Sequence, residues 1–361
     1  MAVEIFSFFS GLGFLDLGFE EAGFNISFVN EYNSSFLNAY RYARRNRSHV
    51  PEYGYSDDSM EIFLDDKIWY EKFPDYDIRV EGDIVGFIGG PPCPDFSVAG
   101  KNAGNCGENG RLTEKYVKLI IKRRPDFFVL ENVKGLYQTK KHKAFYEKMK
   151  KRLYRAGYSV FDSIENALEY GVPQYRDRLI LVGFNRNTFG RNLKYNIGIH
   201  KKYKSTDIKA CNWPTVDEFQ IDYVREVPDN IIEDLTVEHW FQLNNVSKHA
   251  NANDYFNVKV NSKFNSILEG DTSRKSFKRL HRWRYSPTAA YGNNEVHLHP
   301  YQPRRISVAE ALAIQSLPAW FEVLPELPLS AKFKMVGNGV PFLLAMGIAS
   351  DLYNWLRCFT D

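Results

Sequence analysis

The sequence predicts an α/β protein whose mostly parallel sheet is covered by helices on both faces, with a smaller irregular domain attached. Two observations lead to this prediction. Short apolar runs typical of buried strands alternate with amphipathic stretches typical of helices. After about residue 187 this pattern weakens, and residues 188–300 are rich in Asn, Tyr, Lys and His. We therefore expect a large domain over residues 1–187, a small domain over 188–324, and a segment over 325–361 that returns to the large domain.

The individual elements follow from composition and from the glycines, prolines and charges that border them. Strands are predicted over residues 3–11, 26–32, 83–90, 126–133 and 178–184. Helices are predicted over 15–24, which ends at Gly23, over 305–321, which stops at Pro318, and within 335–356, after a glycine turn. Residues 41–80 are expected to form an irregular insertion. Ligands of such sheets bind at the carboxyl ends of the strands, where we expect Gly11, Glu31, Asp83, Gly89 and Glu131.

The turn after the first strand, "FSGLGFLDLG", invites comparison with dinucleotide-binding turns. Those need the pattern G-x-G-x-x-G, but Asp16 stands where the third glycine belongs, which disfavours NAD or FAD. A glycine turn followed by Glu31 at the end of the second strand still suits an adenosine ligand, with the carboxylate on the ribose hydroxyls. A tight turn without a ligand explains the glycines equally well.

A rigid segment, "GGPPCP", holds the cysteine that is the candidate nucleophile. The four cysteines, at positions 93, 106, 211 and 358, show neither disulfide nor metal spacing, so Cys93 is expected to be a free thiol. A single free cysteine is more often structural, but the prolines on both sides argue for an exposed and fixed thiol. The glycine-rich polar stretch 99–110 after it is expected to be mobile and to close over a substrate.

Further polar residues follow two of the strands. Glu131 and Asn132 end an apolar strand, and a carboxylate there is costly to bury unless it has a hydrogen-bonding task. Gln174, Arg176 and Arg178 are expected on one face of a strand, where they could line a charged substrate pocket. A helix cap in the first case and a solvated edge strand in the second are the alternatives.

The charge pattern favours a nucleic-acid surface in one stretch of the chain. The net charge of +3 alone does not decide this. The stretch 273–285 contains cations and interleaved aromatic residues but no acidic residue, a composition that suits phosphate contacts and base stacking. The candidate DNA contacts are Arg274, Lys275, Lys278, Arg279, Arg282 and Arg284. By contrast, 140–155 is typical of the solvated face of a helix.

The N-terminus lacks the features of a signal peptide, and no apolar run is long enough to suggest a membrane span. We therefore expect a cytoplasmic protein that does not bind a membrane and holds no metal.

Taken in order, the motifs resemble the cytosine-5 DNA methyltransferases that use S-adenosylmethionine. The resemblance rests on eight segments at spacings like those of the family, which are "FSGLGFLDLGFEEAGF", "NEY", "GDI", "GGPPCPDFS", "ENVKGL", "QYRDR", "RISVAEALAIQSLP" and "GNGV". It covers both ends of the chain and leaves out mainly residues 41–80 and 188–300. It implies a Rossmann-like catalytic domain and a target-recognition domain in the variable region. It also implies double-stranded DNA as partner, a monomer, and a restriction endonuclease that could act separately.

The resemblance also implies roles for the catalytic residues. Cys93 would attack carbon 6 of a cytosine that has been flipped out of the duplex. Glu131 would hydrogen-bond the ring at nitrogen 3 and at the exocyclic amine, and Arg178 would contact the base carbonyl. Arg176 would lie close by, and Asn132 and Gln174 complete the predicted catalytic set.

For the cofactor, S-adenosylmethionine with S-adenosylhomocysteine as product, the resemblance implies contacts from several segments. These are Phe9, Gly11, Leu12, Gly13 and Phe14 in the first turn, Glu31 and Tyr32, Asp83 and Ile84, Pro92, Leu112, and Asn338 with Val340.

The chain departs from the family pattern at three positions. Pro94 stands where the family usually has Gln, Phe14 where it has Gly, and Ala309 where it has Arg. None of these removes a catalytic residue, so we expect an active enzyme.

Two other functions stay open at this stage. One is a tRNA methyltransferase of the same family, whose Cys-Phe-Thr signature occurs here only at 358–360 in the C-terminal tail. The other is a non-catalytic module that binds nucleic acid.

Overall fold

The structure is a computed structural model that describes residues 3–77, 83–92, 108–257, 262–274, 276–289, 291 and 296–360. The predictions that concern Cys93, the loop that follows it, and Lys275 lie outside the described residues.

One seven-stranded sheet forms the centre of the described protein, with strand order β3-β2-β1-β4-β5-β7-β6. Its strands are β1 (Val3–Phe8), β2 (Asn25–Asn30), β3 (Tyr55–Ser56), β4 (Ile84–Gly89), β5 (Phe127–Val133), β6 (Tyr158–Asn166) and β7 (Asp177–Asn185). Neighbouring strands are parallel in the pairs β3–β2, β2–β1, β1–β4 and β4–β5. Strand β7 is antiparallel to both of its neighbours, β5 and β6. This confirms the predicted mostly parallel sheet. The order reverses between β1 and β4, which is where open α/β sheets bind their ligands.

Helices cover both faces of the sheet, as expected. Those before residue 190 are α1 (Phe14–Glu21), α2 (Ser34–Ala43), α3 (Asp66–Lys72), α4 (Glu108–Arg123), α5 (Gly135–Gln138), α6 (Lys140–Arg155) and α7 (Arg186–Phe189). The alternation along β1 explains the two layers. Val3 and Ile5 pack in a core with α1 and the C-terminal helix, whereas Phe6 and Phe8 pack in a second core with α3, α4 and α6.

The later part of the chain has fewer regular elements. They are α8 (Ser205–Ala210), α9 (Val237–Leu243), α10 (Ser262–Asn265), β8 (Lys278–Arg279), β9 (His297–Leu298), α11 (Val308–Ile314), α12 (Leu329–Asn338) and α13 (Phe342–Thr360). A third core joins Leu12, Phe14 and Ala39 of the sheet domain to residues of α9, α11 and α12. Packing is therefore continuous across residue 324, and the domain boundaries proposed from the sequence stay a prediction.

Two predicted elements need correction, and one strand was not predicted. Residues 41–80 are not wholly irregular, because they include β3 at the sheet edge and α3 in the core. The helix expected over 305–321 is only Val308–Ile314, since Ser307 caps its start with Glu310 and the backbone at Ser316 turns to φ +57°. β6 was missed because most of its residues are only half-buried, so it lacks the apolar run of the other strands.

The C-terminal stretch Leu329–Phe359 is long and apolar enough, by length and composition, to cross a membrane, contrary to the expectation that no such run exists. However, 67% of its most apolar window lies inside the fold. Leu344, Ile348 and Leu352 of α13 belong to the core that covers β1. The stretch is therefore part of the protein core.

Candidate functional site

The first part of the site forms where three parallel strands end together. β1 runs parallel to β2 and β4, so the turn after Phe8, the carboxylate of Glu31 and the segment after Gly89 lie at one edge of the sheet. The structure thus brings the predicted first turn, Glu31, Tyr32 and Pro92 to the same edge. Tyr32 is 74% exposed there, in keeping with a side chain open to a ligand.

The second part of the site comes from β5 and β7. Gly89 pairs with Leu130, which places Gly90 next to Glu131. β7 runs in the opposite direction and begins at this edge, with Arg178 opposite Val133. One parallel and one antiparallel neighbour therefore bring the two predicted catalytic side chains together.

Glu131 and Arg178 form a buried ion pair. Arg178 Nε lies 2.7 Å from Glu131 Oε1, and the side chains are only 10% and 11% exposed. Burial raises the pKa of Glu131, and the cations of Arg178 and then Arg176 oppose that rise. The pair therefore fixes the orientation of a carboxyl group that takes up a proton more readily than an exposed glutamate.

The second oxygen of Glu131 faces the chain just before Cys93. A methyl group built on Gly90 would lie 2.7 Å from Glu131 Oε2, closer than packed atoms allow. Glycine at this position therefore lets the "GPP" segment approach the carboxylate. Asn132 lies beside it, and its Nδ2 is buried with no hydrogen-bond partner within the described part of the chain. Unpaired donors of this kind are rare in folded proteins and occur at functional sites.

The turn after β1 has the backbone of a ligand-binding loop. Phe9, Gly11 and Gly13 all have positive φ, at 56°, 56° and 82°. For Phe9 this is strained, a feature that concentrates at functional sites. Gly11 N donates to Glu31 Oε2 at 2.9 Å, and Asn33 N donates to Glu31 Oε1 at 3.0 Å. Burial raises the pKa of Glu31, while these two backbone donors oppose the rise.

Arg44, the residue that directly follows helix α2, binds this turn through its guanidinium group. Its Nη2 donates to the carbonyl of Gly13 at 2.6 Å, and its Nη1 to the carbonyl of Leu12 at 3.5 Å. Its Nε donates to Glu20 at 3.2 Å, so the guanidinium is buried with its charge paired. The cation thus links two carbonyls of the turn to the adjacent helix α1.

A buried carboxylate completes this support. Asp16 accepts from Ser7 Oγ at 2.8 Å and from Tyr40 OH at 3.0 Å. Burial raises the pKa of Asp16 to about 6, although Arg44 opposes the rise. A methyl group on Gly13 would lie 2.3 Å from the Tyr40 ring, so only glycine fits above it. Sequence reasoning missed Tyr40 and Arg44, and the available signal was their spacing of four residues at the end of α2.

The C-terminal "GNGV" segment also packs against the first turn. A methyl group on Gly339 would lie 2.2 Å from the Phe14 ring. Asn338 is exposed at the end of α12, whereas Val340 is buried. The predicted cofactor residues Asn338 and Val340 are thus brought next to the turn. Leu112 is half-buried in α4, one turn before Tyr116, whose ring meets the ring of Phe9.

Gln174 and Arg176 do not share a strand face with Arg178, contrary to the prediction. β7 begins only at Asp177, and both earlier side chains are buried. Gln174 Oε1 accepts from the backbone N of Ala289 at 2.9 Å. Gln174 therefore binds protein backbone and does not line an open pocket.

Arg176 has a similar structural role. Its guanidinium donates to the carbonyls of Ala289, Gly337 and Gly339 at 2.7, 2.7 and 3.1 Å. It therefore ties the backbone at Ala289 and the "GNGV" segment to the start of β7. Its cation still contributes to the field at Glu131.

A family model described as C-5 cytosine-specific DNA methylase matches residues 3–354. The chain belongs to this family. It is 53% identical to the Type II methyltransferase M.NmeDI of Neisseria meningitidis serogroup C over 360 residues, 98% of this chain and 84% of that protein. It is 29% identical to the Type II methyltransferase M.FnuDI of Fusobacterium nucleatum, covering 97% of this chain and 94% of that one.

Solved structures share the fold of this methylase. A prophage-encoded E. coli protein described as a DNA modification methyltransferase superimposes with a TM-score of 0.65 at 22% identity, covering 99% and 100% of the two chains. The Entamoeba histolytica methyltransferase EhMeth superimposes with a TM-score of 0.60 at 13% identity, covering 99% of each chain. The predicted Rossmann-like methyltransferase fold is confirmed.

Two cofactor predictions for the methylase are wrong. Asp83 and Ile84 were expected at the carboxyl edge, but Ile84 is the first residue of β4 and pairs with Val3 at the start of β1. Asp83 lies near Glu4, whose pKa is raised mainly by burial and further by this carboxylate. Both residues are therefore about 16 Å, the rise of five strand residues, from the edge that holds Glu31.

The carboxylates that do reach this edge follow β3. Asp57 and Asp58 come directly after Ser56, and Asn30 Nδ2 donates to the carbonyls of Ser56 and Asp58 at 3.2 and 2.9 Å. Both aspartates are exposed. The sequence analysis missed these two aspartates because it did not predict β3. That strand has only two residues and lies in a polar part of the stretch expected to be irregular.

Of the candidate DNA contacts, Arg279 and Arg282 are wrong. Arg279 is fully buried and donates to the carbonyls of Ile267 and Phe264 at 2.8 and 2.7 Å. Arg282 is buried in an ion pair with Glu269 at 2.8 Å. Both cations are used inside the fold and cannot contact phosphates.

The other basic candidates remain at the surface. Arg274 is exposed, and Lys278 and Arg284 are half-buried. In the described ranges, no group of His, Cys, Asp or Glu side chains could hold a metal ion.

Proposed function

We propose that this methylase transfers a methyl group to carbon 5 of cytosine in double-stranded DNA, as the modification enzyme of a Type II restriction-modification system. The observation that supports this most is the buried Glu131–Arg178 pair beside Gly90, three residues before Cys93. Both relatives named above are Type II methyltransferases.

Glu131 would hold the target ring. Oε1 is held by Arg178, so Oε2, on the Gly90 side, is left for the base. Because burial raises the pKa of this carboxyl group, it can carry the proton that a hydrogen bond to ring nitrogen 3 requires. Withdrawing electrons from the ring in this way makes carbon 6 more electrophilic. The base must leave the duplex to reach this buried pair.

Cys93 would be the nucleophile. Its thiolate would add to carbon 6, and the electron pair would move toward carbon 5. Carbon 5 would then take the methyl group as the bond from that group to the sulfonium sulfur breaks, leaving S-adenosylhomocysteine. A base removes the proton from carbon 5, the sulfur–carbon 6 bond breaks, and the thiolate is restored. The prolines around Cys93 limit the backbone freedom of the thiol.

The residues at the sheet edge fit S-adenosylmethionine, which supplies the methyl group when bound. The left-handed turn at Phe9–Gly13 leaves open space beside Gly11, and Glu31 is held by two backbone donors at the end of β2. Glu31 and Tyr32 would contact the ribose and adenine, and Asp57 or Asp58 would take the place predicted for Asp83 on the adenine amine. Asn338 would contact the methionine end.

We further propose that the protein acts as a monomer in the bacterial cytoplasm, with residues 188–324 as the target-recognition domain. The restriction endonuclease, where one exists, would act separately.

Transfer of tritium from the methyl group of labelled S-adenosylmethionine tests the function. The assay uses the full chain with duplex DNA in one arm and tRNA in the other. We expect label in DNA only, and none with Cys93→Ala, which should still bind cofactor and DNA. Label in tRNA alone would favour the sister activity, and substantial transfer by Cys93→Ala would contradict the covalent mechanism. Bisulfite sequencing of plasmid DNA from expressing cells then identifies the target site.

A further inference from the structure

Tyr175 is an exposed side chain between two buried ones. Gln174 and Arg176 point into the protein, whereas Tyr175 is 48% exposed. Its backbone is nevertheless fixed on both sides, because Tyr175 N donates to the carbonyl of Ser286 at 2.9 Å and Thr288 Oγ1 donates to the carbonyl of Tyr175 at 2.8 Å. An exposed aromatic ring on a fixed backbone loses little entropy when it binds a partner.

A second tyrosine extends this surface. The ring of Tyr285 lies 6.5 Å from that of Tyr175, at an interplanar angle of 33°. Behind it, Trp213 meets Tyr285 edge-on at 5.2 Å and holds it in place. We call Tyr175 and Tyr285 the tyrosine shelf.

Two cations border the tyrosine shelf. Arg284 Cζ lies 5.2 Å from the centre of the Tyr285 ring. Lys134 Nζ lies 2.9 Å from Asp177 Oδ2, and Asp177 follows Tyr175 by two residues. Two neighbouring aromatic rings with cations nearby match the chemistry of a nucleotide, which offers a ring face and a phosphate.

The tyrosine shelf lies beside the candidate catalytic pair. Tyr175 precedes Arg178 by three residues, so their α-carbons are at most about 11 Å apart. Lys134 follows Glu131 at the same short distance along the chain. A DNA strand that delivers a cytosine to Glu131 must place its neighbouring nucleotides in this region, because successive nucleotides rise by about 3.4 Å.

We propose that the tyrosine shelf stacks on a nucleotide next to the target cytosine while Lys134 and Arg284 contact its phosphates. This inference rests on the proposed function, since it needs DNA as substrate. Stacking on a base tolerates any sequence, so the shelf would hold the opened strand without reading it. If Tyr175 only packed against other residues of this chain, about half of its surface would not need to be exposed.

The test measures binding of the full chain to a short duplex that carries the site found by bisulfite sequencing. In this probe, 2-aminopurine replaces one base next to the target cytosine. We expect Tyr175→Ala to raise the Kd about tenfold, the effect of losing one base–aromatic stack, and to abolish the quenching of 2-aminopurine. Tyr175→Phe keeps the ring and should behave as wild type. Tyr154→Ala removes a 59% exposed tyrosine on α6 and is the matched control.

Salt dependence separates the ring from the cations. Tyr175→Ala should leave the slope of log Kd against log salt unchanged, whereas Arg284→Gln should lower it by about one. Wild-type methylation of the duplex with equal Kd values for Tyr175→Ala and wild type would overturn the tyrosine shelf alone. A wild type that does not methylate the duplex would overturn both proposals, because the shelf would then have no strand to hold.

Discussion

The backbone of Gly90 lies against the carboxylate of Glu131, so closely that a methyl group on Gly90 would sit 2.7 Å from Oε2. This contact follows from the parallel pairing of β4 with β5. It couples the segment that leads to Cys93 to the residue that would hold the cytosine. The strand register therefore sets how closely the segment before Cys93 approaches Glu131.

Gly90→Ala should inactivate the enzyme and leave it folded. The added methyl group forces Glu131 or the "PPCP" backbone to move, and displacements of about 1 Å in a reaction site cost about a hundredfold in rate. Methyl transfer and the thermal unfolding temperature are the two measurements. Gly90→Ala in a Glu131→Asp background, where the shorter side chain leaves room, should lose little beyond the effect of Glu131→Asp. Full activity of the single variant would show that the contact is unimportant.

Glu131→Gln should lower the rate of methyl transfer by about 10²–10⁴, the contribution typical of a general acid. Glutamine keeps the shape of the side chain but cannot give a proton to the ring. Binding of cofactor should stay unchanged, since Glu31 and the first turn are untouched. Glu71→Gln, at a largely exposed position in α3, is the control and should have wild-type activity. A Glu131→Gln variant within threefold of wild type would argue against acid catalysis by this residue.

We expect Arg44 to act as a positioning residue for the turn at Phe9–Gly13, the proposed cofactor site. Arg44→Met removes the donors that hold the carbonyls of Gly13 and Leu12. We expect a higher KM for S-adenosylmethionine and a higher Kd for S-adenosylhomocysteine, with KM for DNA and kcat at saturating cofactor nearly unchanged. Arg44→Lys should restore part of the affinity. A purely structural role would instead weaken the affinities for cofactor and for DNA together.

Asp16 makes stability depend on pH in a defined direction. Its pKa is about 6 in the folded chain against 3.8 ordinarily, so the folded state binds the proton more tightly than the unfolded state. The stabilisation linked to that proton is present below about pH 4 and is lost as the pH rises to about 6. It corresponds to at most about 3 kcal/mol.

The measurement is the free energy of unfolding of wild type and Asp16→Asn between pH 4 and 7. Asparagine stays neutral and can still accept from Ser7 and Tyr40. The wild type should therefore lose stability relative to Asp16→Asn as the pH rises. If the difference in free energy of unfolding between wild type and Asp16→Asn stayed constant across this pH range, the pKa of Asp16 would be unshifted.

The sequence was sufficient to predict most of the sheet and to single out Glu131 and Arg178 as candidate site residues. The apolar runs of β1, β4 and β5 identify buried strands, and parallel strands must end together. The family resemblance assigned both residues to one base, but their ion pair with each other was not predicted and is seen only in the structure. The sequence analysis assigned Asp83 to the wrong end of a strand. Asp83 was expected at the carboxyl end of β4, although it precedes that strand in the sequence.

What could not be predicted depends on contacts between segments far apart in the chain. Arg44 reaches Gly13 across 31 residues, and Arg176 reaches Gly337 across 161 residues. No local pattern distinguishes a cation that binds buried carbonyls from one that faces solvent. The same reason explains the error at Arg279 and Arg282, whose neighbours in sequence gave them the composition of a DNA-binding stretch.

Arg279 and Arg274 offer a direct test of this distinction. Arg279→Gln leaves buried carbonyls of Phe264 and Ile267 without their donors, so it should lower the free energy of unfolding by about 3 kcal/mol or more. Arg274 is exposed and lies 3.7 Å from Asp271, so Arg274→Gln should change stability by less than about 1 kcal/mol. If Arg274 contacts a phosphate, Arg274→Gln should lower the slope of log Kd for DNA against log salt concentration by about one. Urea unfolding and binding at several salt concentrations measure the two effects. Equal stability of Arg279→Gln and wild type would contradict the structural role, because a buried network with its central cation removed cannot keep its full stability.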